Sequence, residues 1–344
     1  MSSLERAARK ALDHYDLDRA DRLVHLSAGR VNLTFLVESS GERFILQRLH
    51  PVFGLDGAVA ENAAAAAAAL TRTGLAAPLV VPAKDGRPFA EEDGIWRLVV
   101  HLPGRTYSER TVWAGAECGR YLGLVHRALG QDPPPLKPLP PADYGRETPW
   151  PAEAWERLIT AYSTHPDFGP AAAALELGRD LVAKWPVISI ETKGPVHGDP
   201  KLENFLFDQA GKALAVIDLD TVQIGSLAWD LADGLRSWAG RREADDTVVL
   251  DRDIIAAGVR SYHKHGPRLS PGEWRTLPAA VGAKALNLAF RYLRDSFEQS
   301  YFAWDRIHYP SPAAQNRSRG RGLLALAGRL SGTWAELAEE ITPG

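Results

Sequence analysis

Between residues 194 and 221 the chain reads GPVHGDPKLENFLFDQAGKALAVIDLDT, setting His197, Asp199, Lys201, Asn204, Asp218 and Asp220 among short apolar runs. Polar groups at the ends of buried segments are costly unless they are paired or bind something. The amide oxygen of Asn204 and the carboxylate of Asp218, with Asp220 close behind, are hard oxygen ligands. Mg2+ takes such ligands while keeping water and substrate phosphate in its other positions. Asp199, on the loop VHGDP, is placed to accept a proton from an attacking hydroxyl. Lys201 can point a cation at a transferring phosphoryl group. Charge neutralisation, positioning and a proton acceptor are the parts that phosphoryl transfer needs. With Asp199 as the base, His197 reads as a loop-packing histidine that donates to backbone.

These side chains need elements to hold them. The runs NFLF (204–207) and ALAVIDL (213–219) flank DQAGK and predict a hairpin that brings Asn204 beside Asp218. Upstream, RVNLTFLVES (30–39), ERFILQRL (42–49) and IWRLVVHL (95–102) are rich in β-branched and aromatic residues. The first two are joined by a Ser-Gly turn. Between the second and third lies ENAAAAAAAL (61–70), a helix expected to pack closely through small side chains. From residue 111 onward the apolar spacing is helical over 111–130, much of 151–186 and most of 226–340. The change falls at His101 to Gly104, which predicts a small strand-rich unit over 1–101 and a mainly helical one over 102–344. The Pro-rich DPPPLKPLPPADYG (132–145) predicts an extended loop crossing the helical part.

The 344 residues carry 40 Lys and Arg against 43 Asp and Glu, a formal charge of −3, which gives no reason to expect nucleic acid or an anionic membrane as partner. A single cysteine, Cys118, suits neither an internal disulfide nor a Cys-rich metal site. The opening MSSLERAARKALDHYDLDR lacks an apolar signal core, and no run of about eighteen apolar residues suggests a membrane span. A reducing cytoplasm is the expected setting.

HGDPKLEN followed by IDLD resembles the catalytic-loop and metal-binding motifs of the aminoglycoside phosphotransferase family. The resemblance implies a two-lobed, protein-kinase-like α+β fold. Within the family, AGRVNLTFLV, FILQRLHPVF, VIDLDTVQIGSLAWDLADGLR and FRYLRDSFEQSYF look like segments of N-acetylhexosamine 1-kinases. Asp199 is then implied as the base and Asn204 and Asp218 as holders of Mg2+, with Asp220 in support. ATP is implied as donor, and an acceptor site over the C-terminal part. Asp230 resembles a position that supports the catalytic loop, while Asp233 and Arg236, three apart, predict an intrahelical ion pair.

The departures from the family pattern are specific. In place of a G-x-G-x-x-G loop there is Gly29 entering the first hairpin. The strand expected to bear a phosphate-binding lysine reads ILQRL. The resemblance places Gln47 there, the chemistry prefers Arg48, and strand alternation lets only one face the cleft. If it is Arg48, Glu61 on the following helix is its natural partner. Val100 and His101 sit where backbone groups can hydrogen-bond an adenine. For the acceptor, Asn32, Arg291, Asp295 and Arg317 are the residues the family patches suggest. Residues 284–321 carry an excess of cations, which disfavours a polycationic aminoglycoside or choline. The expected activity is ATP-dependent phosphorylation of a sugar hydroxyl, most simply the anomeric one of an N-acetylhexosamine. A kinase for an amino sugar, amino alcohol, homoserine or antibiotic would share the metal chemistry. A catalytically inactive binding module would break the metal pair, which is intact here.

Overall fold

The computed structural model describes residues 3–18, 20–26, 32–53, 56–139, 146–242 and 248–343. Gly29 lies outside them.

Helix α1 (Ser3–Leu12) precedes strands β1 (Arg22–Leu26), β2 (Leu33–Ser39) and β3 (Glu42–Arg48); then follow α2 (Ala58–Arg72), β4 (Val80–Val81), β5 (Ala90–Glu91) and β6 (Ile95–Val100). The sheet runs β1-β2-β3-β6-β4, with β5 also on β6, and the named pairings are antiparallel. Ser40 and Gly41 both have positive φ (49° and 82°), as a tight hairpin of native twist requires. Strand alternation then divides the side chains. Phe35, Val37, Leu46, Trp96 and Leu98 are buried in a core with Ala8 and Ala11 of α1. Thr34, Gln47 and Arg97 are cross-strand neighbours in register on the opposite face, toward the helical part.

The Ala-rich segment forms α2 as expected, but its small side chains serve the helical body. Ala63, Ala66, Ala67 and Leu70 belong to the same core as Leu122, Phe205 and Leu231. Fully buried Asn62 fixes this arrangement. Its Nδ2 donates to the carbonyls of Lys137 (2.9 Å) and Val222 (3.4 Å), and its Oδ1 accepts from the Lys137 N–H (2.8 Å).

Beyond β6 the chain crosses at Pro103 and Gly104, and Arg105 exchanges backbone hydrogen bonds with Phe207 (3.0 and 2.9 Å). The helical part comprises α3 (Val112–Gln131), α4 (Ala152–Tyr162), α5 (Phe168–Ala183), α6 (Leu227–Ala239), α7 (Arg252–His265), α8 (Pro271–Glu298) and α9 (Pro312–Ile341). Two short ribbons carry the chemistry-bearing stretch. β7 (Lys193–Val196) pairs with β10 (Gln223–Ser226), and β8 (Phe205–Phe207) pairs with β9 (Ala213–Val216). A third ribbon joins β11 (Gly240–Arg242) to β12 (Val248–Leu250). No helix among the described residues is long and apolar enough to cross a membrane.

Candidate active site

The loop after β7 is held from behind. The Asp230 carboxylate, near the start of α6, accepts from the backbone N–H of His197 (3.1 Å) and Gly198 (2.8 Å), and its Oδ2 lies 2.9 Å from Nε2 of buried His126. Burial alone would raise the Asp230 carboxyl, but the bond and charge of His126 hold it below its ordinary value. Gly198 has φ +85°, and a Cβ there would come within 2.4 Å of the Thr221 carbonyl, so the tight passage of this loop requires glycine. Nδ1 of His197 accepts from the Asp199 N–H (3.3 Å). Its Nε2 therefore carries the hydrogen that the Ile217 carbonyl receives at 3.0 Å. His197 is thus the packing residue expected.

The loop presents Asp199, whose carboxylate is about one-third exposed, next to Lys201. Nζ of Lys201 stands 2.5 Å from Asp199 Oδ2 and 3.5 Å from Asp218 Oδ2, so one ammonium bridges two carboxylates. Burial would lower the lysine, but Asp199 and Asp218 outweigh it and raise it above its ordinary range. Asn204 donates through Nδ2 to the Asp199 carbonyl (2.9 Å), and its own carbonyl accepts from Ile217 (2.9 Å), which sets Asn204 beside the end of β9 as the hairpin reading expected.

At that end the strand stops short. Asp218 is left-handed (φ 64°, ψ 56°) and turns its carboxylate out of the strand. Burial, then the neighbouring Asp220, raise its carboxyl, and Lys201 and Arg97 pull it back. A carboxylate crowded by another acid gains from a cation. Asn204 supplies an amide oxygen with no hydrogen bond among the described residues. One carboxylate and one amide oxygen fit Mg2+, which keeps several positions for water and phosphate. Asp220, expected in the metal set, is turned toward the sheet instead. Its Oδ2 accepts from Asn32 Nδ2 at 2.7 Å, and its Oδ1 is ion-paired with Arg97.

The sheet face opposite α1 settles which residue of ILQRL turns inward. Gln47 does. Its Oε1 accepts from Arg97 Nε (3.0 Å) and Nη2 (2.7 Å). Arg48 points the other way and pairs with Asp93 (3.1 Å), so it is removed from the cleft. Its expected partner Glu61 pairs instead with Lys137, because α2 is docked on that segment. The Val100 N–H donates to Leu79 (2.8 Å) and that of His101 to Arg43 (3.0 Å). Neither donor is left for an adenine. A cavity of about 590 Å3 opens there, lined by Phe44, Val100, His101 and Pro103 among others.

On the helical side, Asp233 accepts from Arg236 Nε (2.9 Å) and Nη2 (2.7 Å), the intrahelical pair expected, and from Lys284 Nζ at 3.4 Å. Burial raises its carboxyl, but Lys284 and Arg236 prevail and hold it at about 2. Lys284 also lies over the Trp229 ring (4.9 Å), whose buried Nε1 has no hydrogen-bond partner among the described residues. Arg291 stacks on Tyr301 (5.0 Å), and Tyr301 meets His50 from the sheet side edge-on at 6.5 Å. Asn32, whose Oδ1 accepts from the His50 N–H (3.0 Å), sits at the same junction. Asp295, suggested for the acceptor, is engaged within the protein. Its oxygens accept from the N–H groups of Ser300, Tyr301 and Phe302 and from Asn316, so it shapes the loop after α8. Arg317 is paired with Asp167 at 2.8 Å. Sequence reasoning missed Arg97 and Tyr301, and counted Lys284 only within the cation excess of 284–321. The one available signal for Arg97 was a charge inside the apolar run IWRLVV.

Residues 22–268 match the model of the phosphotransferase enzyme family. The chain belongs to that family. This phosphotransferase is 26% identical over 230 residues to a homoserine kinase of Gluconobacter oxydans, covering 66% of this chain and 68% of that one. Among solved structures it resembles a microcompartment-associated aminopropanol kinase (TM-score 0.62, 23% identity, 96% and 98% of the two chains). It also resembles the amicoumacin kinase hAmiN in complex with AMP-PNP, Ca2+ and Ami (TM-score 0.62, 16% identity, 94% and 93%). Its fold is therefore the two-lobed α+β, protein-kinase-like one. The phosphotransferase is a small-molecule kinase.

Proposed function

We propose that this phosphotransferase moves the γ-phosphoryl of ATP, with Mg2+ held by Asn204 and Asp218, onto a hydroxyl of an uncharged, oxygen-rich acceptor, and that the acceptor is a sugar. Mg2+ supplies charge neutralisation on the phosphates. Asp199 accepts the hydroxyl proton. Lys201, against the Asp199 carboxylate, offers its charge to the incoming phosphate. The observation that carries the acceptor reading is the state of the acids facing the helical side. Asp233 is shared by two cations and Asp295 by donors from four residues, so neither is free to meet an ammonium. Lys284, Arg236 and the unpartnered Trp229 N–H are donors, and hydroxyl, ring and acyl oxygens are what donors bind.

A second reading has an observation of its own. The same cation excess suits a carboxylate, and homoserine, the substrate named for the curated relative, bears one. The ammonium of homoserine would then need an acid other than Asp233 and Asp295, whose oxygens are engaged. A phosphate-transfer screen over N-acetylhexosamines, free hexoses, homoserine, choline and kanamycin-type compounds, with the product located by NMR, separates these. Transfer to C1 of an N-acetylated sugar is expected. Transfer to homoserine alone replaces the sugar with the second reading, and activity confined to choline or kanamycin-type compounds removes both.

A further inference from the structure

The strand on which the family pattern puts a phosphate-binding cation presents Gln47 to the cleft, and Arg48 is on the far face. We propose that Arg97 supplies that cation from the neighbouring strand β6, and that Asp220, in place of Glu61, is the carboxylate that orients it. Arg97 is directly opposite Gln47 in register and is 3% exposed. A buried guanidinium is costly unless its charge and its N–H groups are met. Here Nε and Nη2 donate to Gln47 Oε1, and Nη2 pairs with Asp220 Oδ1. The two N–H of Nη1 carry no hydrogen bond among the described residues. The guanidinium is thus fixed on one side by an amide and a carboxylate, with donors left over in a fork that suits phosphate oxygens.

Its place is the right one. Asp220 lies two residues beyond Asp218, in the turn Leu219–Thr221, so its ion pair sets Arg97 against the turn that follows Asp218. Asn32 fixes the other oxygen of Asp220 while holding the backbone of His50, so the carboxylate has one orientation. Gln47 then serves as a spacer. It takes the strand position of the expected cation and passes the charge across the sheet from the next strand.

This rests on the reading of the cleft as the ATP site, and the test separates the two. The measurement is binding of ADP with Mg2+ by calorimetry, with thermal melts to show that each variant is folded. Arg97→Met alone leaves Asp220 buried without its cation, so the informative variant is Arg97→Met with Asp220→Asn. Its affinity for ADP is expected to fall roughly tenfold or more, the size of one charge-assisted hydrogen bond. The acceptor KM stays unchanged. Adding Gln47→Lys to that background returns a cation to the facing strand and is expected to restore most of the loss. A folded double variant that binds ADP like wild type overturns the role of Arg97. So does a failure of Gln47→Lys to restore binding, which would mark the loss as one of packing. Wild-type protein that does not bind ADP removes the ATP reading, and the role of Arg97 with it.

Discussion

Two polar groupings meet at Asp218 and Asp220, and they are built in opposite ways. The loop bearing Asp199, Lys201 and Asn204 is contiguous, and its internal contacts run between residues at most 20 apart. The group of Asn32, Thr34, Gln47, Arg97 and Asp220 is assembled from three strands of the sheet and one turn of the helical body, with partners up to 188 residues apart. In the first, backbone geometry places the side chains, through the left-handed Gly198 and Asp218 and the N–H groups gathered by Asp230. In the second, strand register and the seating of the sheet place them. A contiguous loop keeps its shape when one side chain changes, so its losses should fall on chemistry. An assembled cluster joins the two parts of the molecule, so its losses should fall on ligand affinity and on the fold together.

The sharpest way to break this contrast is at Asp199. Asp199→Asn keeps size and most hydrogen bonds but cannot take a proton, and turnover is expected to fall about 10²- to 10⁴-fold. The melting temperature and the ADP affinity should stay near wild type. Turnover within a few-fold of wild type would show that another group receives the proton. A parallel loss of ADP binding would mean that the loop does not keep its shape independently.

The next effect is on stability, because the contiguous loop depends on one buried acid from outside it. Asp230→Ala strands two backbone N–H groups and the His126 imidazole, and is expected to cost about 3–5 kcal/mol. The loss should be visible as a fall of several degrees or more in the melting temperature. The pH dependence has a definite sign. The folded carboxyl lies below its unfolded value, so its contribution is present above about pH 4 and is lost as pH falls through the folded value. Wild type and Asp230→Ala should therefore converge in stability on acidification. If the gap between them is unchanged from pH 7 to pH 3, Asp230 is not the ionised anchor described.

The same contrast explains what could be read before folding. The geometry of the contiguous loop was legible because its spacing survives in the fold: five residues from Asp199 to Asn204, then a hairpin that returns to Asp218. The sheet, the Ala-rich helix and the helical remainder were legible from periodicity, and β1 was not singled out. Gln47 against Arg48 was not legible, since two adjacent residues on a strand differ only in face. The outcome followed from α1 covering the side that holds Leu46 and Leu98. Glu61 went to Lys137 because α2 packs through Ala63, Ala66 and Ala67 on the helical core, and one strand and its next helix cannot report that docking. Asp295 looked like a ligand residue because its donors come from Asn316 and from a loop with no sequence pattern of its own.

The smallest expected effect tests whether α2 takes part in either grouping. Glu61 and Lys137 form a pair with the lysine more than half exposed, and such pairs contribute about 0.2–1 kcal/mol in water. Glu61→Gln should shift the melting temperature by no more than a degree or two and leave the KM for ATP unchanged. Its neighbour behaves differently. Asn62 is fully buried and satisfies a carbonyl and an N–H of Lys137 and the carbonyl of Val222, so Asn62→Ala leaves buried backbone groups without partners. The adjacent substitutions should therefore differ severalfold in their cost to stability, with Asn62→Ala the larger. If Glu61→Gln instead raised the KM for ATP about tenfold, Glu61 would be the carboxylate at the phosphates. The division between a helix that anchors through an amide and a sheet that carries the charge through Arg97 would then fail.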